Sequence, residues 1–155
     1  MPASPEPSEP ARRVVVAVDG SPASRAALRR AAEEATAHDA ALQVVLAWGL
    51  LEQPWGEEFD PRFDADRARR YLDDVVSTEL GAGRPAATEL HVVNSLPARA
   101  VLDAAEGAWV VVLGNRGLGG FRGLLLGSVS QQVVHHATCP VLIVRAPPGD
   151  TEARA

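Results

Sequence analysis

The sequence predicts an α/β fold, an open five-stranded parallel sheet in the order 3-2-1-4-5 with helices on both faces. Three observations predict it. Short apolar, β-branched runs alternate along the chain with longer stretches of helical period, the signature of βα units. The first, fourth and fifth runs are almost continuous valine, leucine and isoleucine, as strands covered on both faces require. Crossovers between parallel strands are nearly always right-handed, and 3-2-1-4-5 is the economical winding of such a series.

The predicted strands are RVVVAV (13–18), LQVVLAW (42–48), TELHVV (88–93), WVVVLG (109–114) and PVLIVR (140–145). The third alternates more than the others, which suits a sheet edge. Ser21 is placed as the N-cap of the first helix, with Pro22 at its first position and Ala23, Ala27, Ala31 and Ala35 on one stripe. The second helix carries Ala68, Tyr71, Leu72, Val75, Val76 and Leu80 on its apolar side and stops at Gly81. LPARAVLDAAEG is a shorter third helix that also ends on glycine. In the fourth, SVSQQVVHHAT, Ser128 and Gln131 have the spacing of a capping box, and the helix stops before Pro140.

At 155 residues the chain has the size of one domain, read as residues 13–145 between tails, 1–12 and 146–155, expected to be disordered. Hydrophobic residues make up 46% and charged ones 23%, and no apolar run approaches the length of a membrane span. No secretory signal precedes the first strand, so a cytoplasmic location is expected. The net charge of −5, without any basic run, argues against nucleic acid as a partner. All 15 basic residues are arginine, which excludes a Walker A lysine and Schiff-base chemistry. The single cysteine, Cys139, allows no internal disulfide and reads as a small hydrophobe at a helix-to-strand corner. An acidic stretch at 49–64, with Trp55 and Phe59, reads as a long rim loop.

In the order 3-2-1-4-5 the winding reverses between strands 1 and 4, and ligands bind beyond the carboxyl ends of the strands at such a switch point. Two segments meet there. Strand 1 delivers VDGSP, with Asp19, and strand 4 delivers GNRGLGGFRGLLLGSVSQ (114–131), which holds six glycines. Gly114, Gly117, Gly127 and Ser128 have the spacing G-x2-G-x9-G-S. A helix start offers unpaired N–H groups and the positive end of a dipole, so Gly127 can admit phosphate oxygens while Ser128 adds a hydroxyl. Ser128 can equally be a plain helix cap, and Asp19 an Asx-turn acceptor. Arg116 and Arg122 are placed either to reach a polyphosphate or to stay solvated. Gly119, Gly120 and Gly123 would let the loop fold over a triphosphate.

These segments, VVVAVDGSPAS at the start and GNRGLGGFRGLLLGSVSQQVVHHATCPVLIV at the end with four helices in all, resemble the universal stress protein family in its ATP-binding branch. The resemblance implies a Rossmann-like, adenine nucleotide alpha hydrolase-like fold and an ATP-binding stress-response regulator or sensor, with Mg2+ carried by the nucleotide. It implies a nucleotide site made of Ala17, Asp19, Trp48, Gly114, Arg116, Gly117, Gly127, Ser128, Val129 and Ser130. Asp19 would face the ribose or a phosphate-bound metal, Ala17 would line the adenine pocket and Trp48 would contact the base. It also implies a homodimer through strand 140–145. The alternative is a slow ATPase, phosphotransferase or nucleotidyltransferase on the same sheet. The chain departs from the family pattern at Ala47, where histidine is frequent, and at NSLP (94–97), where a glycine is frequent. His135 and His136 lie too far from the phosphate end of their helix to act there, and only one of them can face the sheet. Asp73 and Asp74 point to different helix faces, which argues against a two-carboxylate centre.

Overall fold

The computed structural model describes residues 12–48, 65–118 and 123–148. In chain order it holds β1 (Arg13–Ala17), α1 (Pro22–Ala37), β2 (Ala41–Trp48), α2 (Ala65–Leu80), a 3-10 turn (Gly81–Gly83), β3 (Thr88–Asn94), α3 (Pro97–Ala105), β4 (Val110–Gly114), α4 (Ser128–His136) and β5 (Val141–Val144). All neighbouring strands are parallel, in the order β3-β2-β1-β4-β5. The expected acidic rim loop and most of the expected tails fall outside the described residues.

Strand ends differ from the expectation by single residues, for reasons visible in the ladder. The β1–β2 register closes at Ala17 opposite Val45, so Val18 leaves the strand although its N–H still reaches the Val45 carbonyl at 2.9 Å. Asn94 joins β3 because it stands opposite Trp48. Pro140 has no N–H to give and contributes only its carbonyl, which accepts from Val111 N–H at 3.0 Å.

Side-chain alternation divides the core between two layers. Val14, Val16, Leu42, Val44, Leu46 and Val112 face α1 and α2, while Val15, Val45, Val111 and Leu113 face α3 and α4. Val14, Val15 and Val16 have no exposed surface, so β1 is covered on both faces. Each such side chain contributes about 1.5–3 kcal/mol by leaving water. The predicted alanine stripe of α1 is buried as a set, which lets the helix lie close on the sheet; Leu28 fills the wider gap beside it. The second helix buries Ala68, Leu72, Val75 and Val76 and stops where Gly81 takes φ +48°. Both outer strands are less covered: every residue of β5 is half-buried, and in β3 only Leu90 is fully buried. His135 and His136 are both exposed, edge to face at 5.9 Å, and neither turns toward the sheet. Val133 is the residue of that turn that packs inward.

The tightest joint in this frame lies between the end of β4 and the start of α1. A Cβ on Gly114 would stand 2.7 Å from the Ala23 carbonyl carbon and 2.8 Å from the Ser24 nitrogen. Both are backbone atoms that cannot turn aside. Gly114→Ala is expected to lower stability by about 1–3 kcal/mol, as overpacking does, read from the midpoint of urea unfolding. An unchanged midpoint would refute this account of Gly114.

Candidate functional site

The site is built where β1 and β4 end side by side. After Ala17 the chain turns through Asp19, Gly20 and Ser21 into α1. Gly20 takes φ +87°, and the Tyr71 hydroxyl from α2 occupies the place a Cβ would need, so two separate constraints fix glycine there. Ser21 caps α1 as predicted, its Oγ accepting from Ser24 N–H at 3.2 Å. The half-buried Asp19 accepts from Ser21 N–H at 2.9 Å through Oδ1 and from Leu118 N–H at 3.1 Å through Oδ2. Asp19 is therefore an Asx-turn acceptor, and its second oxygen also reaches the glycine loop.

On the other side, β4 runs through Gly114 into Asn115, Arg116, Gly117 and Leu118. Asn115 is a junction. Its N–H donates to Val144 of β5 at 2.8 Å, its carbonyl accepts from Gly127 N–H at 2.7 Å, and its side-chain Nδ2 donates to the Leu125 carbonyl at 3.2 Å. Backbone and amide together bind the end of β4 to the edge strand and to the segment that opens α4.

Helix α4 starts differently from the expected capping box. Gly127 is its N-cap, with φ −75° and ψ 176°, and Ser128 is already the first helical residue, exposed and making no capping bond. The cap falls one residue early because the Asn115 carbonyl holds Gly127 N–H outside the helix. Ser130 is 3% exposed, and its hydroxyl lies 3.0 Å from both the Asn115 and the Gly127 carbonyls. With one proton it donates to one of them at a time. Its side chain faces the protein, so only its N–H is available to a ligand. The N–H groups of Ser128, Val129 and Ser130 meet no acceptor among the described residues, which is the ordinary state of a helix's first turn and the basis of anion binding there. A Cβ on Gly127 would come no nearer than 3.4 Å to the chain, at Arg116 Cα. No backbone angle or internal clash demands glycine at 127.

The remaining expected residues are distributed around this centre. Ala17 and Val129 pack on the α3/α4 side of the sheet. Trp48 ends β2 opposite Asn94 and packs against the α1/α2 layer, while its carbonyl accepts from Ser95 N–H at 3.2 Å. Arg116 is half-buried, with its carbonyl 3.5 Å from Ser21 Oγ; Arg122 lies outside the described residues. The geometry thus brings Asp19, Gly114, Arg116, Gly117, Gly127 and Ser130 together, and leaves Trp48 one strand away.

Asn115, Leu118 and Tyr71 are the site residues that sequence reasoning missed. Asn115 and Leu118 stood inside the glycine segment, and only their backbone partners, set by tertiary structure, show their importance. Among the described residues no group of three His, Cys, Asp or Glu side chains could hold a metal ion. Asp19 is one carboxylate that belongs to no such group among the described residues, so the described donors do not fit a resident metal. Cys139 is half-buried, and burial pushes its thiol pKa upward, away from reactivity.

Residues 10–145 match the family model described as the universal stress protein family. A universal stress protein of Thermus aquaticus is 40% identical over 138 residues, covering 86% of this chain and 98% of that protein. One from Mycolicibacterium smegmatis is 34% identical over 151 residues, 90% of this chain but 49% of its own length. The chain thus spans about half of this mycobacterial relative and nearly all of the Thermus one. Among solved structures, a universal stress protein in complex with cAMP shares 28% identity over 90% of this chain and 100% of its own, with TM-score 0.67. One from Archaeoglobus fulgidus in complex with dAMP shares 27% over 86% and 97%, with TM-score 0.61. With the parallel 3-2-1-4-5 sheet, the glycine loop and the family match in agreement over nearly the whole described chain, this protein belongs to the universal stress protein family.

Proposed function

We propose that this protein binds an adenine nucleotide, ATP in the first instance, and acts in the cytoplasm as a nucleotide-dependent stress-response regulator. The observation that carries the reading is the start of α4: three N–H groups without an acceptor among the described residues, beside a glycine that no backbone angle or contact among those residues requires. Phosphate oxygens there complete the first turn of the helix and meet its positive dipole end. The solved relatives with cAMP and dAMP support the adenine nucleotide class. Each oxygen of Asp19 accepts one N–H and keeps a further lone pair, so it can accept a sugar hydroxyl but repels phosphate. On this reading the sugar meets Asp19, the phosphates meet the backbone of residues 127–130, and the base lies on the Ala17 side of the sheet, the face that Val129 of α4 also packs on. Arg116 is the one described cation in the loop and supplies charge toward the phosphates. Mg2+ comes with the nucleotide's phosphates, since the described side chains gather no cluster for it.

Gly127→Val tests this placement. A branched side chain would fill the space left at the N-cap while the helix keeps its backbone angles, which valine tolerates. Charge-assisted hydrogen bonds are worth about 1.5–3 kcal/mol each, so losing one or two weakens ATP binding by roughly 10- to 1,000-fold. Calorimetric titration of parent and variant, with circular dichroism to confirm the fold, gives the answer. Equal affinity in the two proteins would refute the phosphate placement.

The reading also includes a homodimer through β5. The strand is a sheet edge of four apolar residues, all half-buried in the single chain, and exposed apolar edges of this kind are normally paired or covered. Sedimentation equilibrium is expected to give twice the 16.3 kDa mass of one chain. A monomer at micromolar concentration would rule this assembly out.

A further inference from the structure

We propose that Asp19 is a positioning residue that fastens the glycine loop to the β1–α1 turn before any ligand arrives. The path of residues 115–118 is then held by the protein's own carboxylate before a nucleotide binds. Two hydrogen bonds converge on this side chain, one from the adjacent turn and one from a residue 99 positions away in sequence: Ser21 N–H on Oδ1 at 2.9 Å and Leu118 N–H on Oδ2 at 3.1 Å. The first belongs to the local turn. The second has no local origin, and it ties the loop that follows β4 to the loop that follows β1.

Gly117 supplies the independent observation. Its backbone is outside the left-handed region, so conformation does not call for glycine. What occupies the place of its Cβ is Asp19 Oδ2. The glycine at 117 is thus explained by the carboxylate, which must come close enough to meet the next N–H. Two neighbouring contacts keep the same segments together: Ser21 Oγ donates to the Arg116 carbonyl at 3.5 Å, and Gly114 lies against the backbone of Ala23 and Ser24. Oδ1 is held by the turn, so the side chain cannot swing toward solvent without giving up a bond. A carboxylate is the one short side chain that offers two acceptors and no donor. Asparagine would turn an NH2 group toward one of the two N–H donors.

This inference uses the proposed nucleotide reading only to call the loop ligand-facing, and its main test is made on ligand-free full-length protein. Residue-resolved amide exchange by NMR is followed in the parent and in Asp19→Asn, Asp19→Ala and Gly117→Ala. Leu118 N–H is expected to exchange about tenfold faster or more in all three, the factor that matches loss of a charge-assisted hydrogen bond. Gly117→Ala matters most, because it leaves the carboxylate in place chemically and displaces it only by crowding. Ser21 N–H is expected to lose protection in Asp19→Ala and keep it in Asp19→Asn, where one acceptor remains for the local turn. Core amides of β1 and β4, such as Val16 and Val112, are expected to be unchanged. Unaltered Leu118 exchange in Asp19→Ala would overturn the proposal. So would acceleration of the core amides in parallel with Leu118, which would show general destabilisation in its place. ATP titration of the same proteins separates the two readings: Gly117→Ala should weaken binding about tenfold, whereas a parent that binds no adenine nucleotide defeats the proposed function and leaves the exchange result standing.

Discussion

The close approach of β4 to the N-terminus of α1 is the constraint on which the rest of the site depends. With no side chain at Gly114, the strand end lies directly against the backbone of Ala23 and Ser24. The residues that follow are therefore delivered beside the β1–α1 turn. The approach is available because β1 and β4 are neighbours in the sheet, and it is stable because the stripe of α1 nearest the strand ends is made of alanines. A leucine in place of Ala23 or Ala27 would hold the helix farther off and move the turn that carries Asp19.

From this joint the structure propagates through Asn115. Its backbone is shared between the edge strand and the start of α4, so the position of the helix is referred to the sheet by hydrogen bonds of 2.7–3.0 Å. Interiors transmit small displacements because they are packed without slack. A change at the Gly127 end of the helix and a change at the β5 edge therefore meet at one residue.

Much of the fold was legible because it depends on patterns that the chain carries locally. The period of the apolar runs identified all five strands, Ser21 and Pro22 marked the start of α1, and Gly81 marked the end of α2. The topology followed from crossover handedness, which is also a local property of twisted strands. The α4 cap was misplaced by one residue because it is decided by Asn115, a partner that lies 12 residues before Gly127 and is recognisable only once β4 and α4 have docked.

The glycine motif illustrates the limit of reading a pattern as one signal. Its three glycines have three causes. Gly114 is demanded by the backbone of α1, and Gly117 is crowded by the carboxylate of Asp19, so both answer to contacts within the chain itself. Gly127 has room for a Cβ and an ordinary extended backbone, so among the described residues nothing calls for glycine there. Set beside three N–H groups that meet no acceptor among those residues, it is the part of the motif on which the proposed phosphate site rests. The first two glycines bear on the architecture, and only the third bears on the proposal.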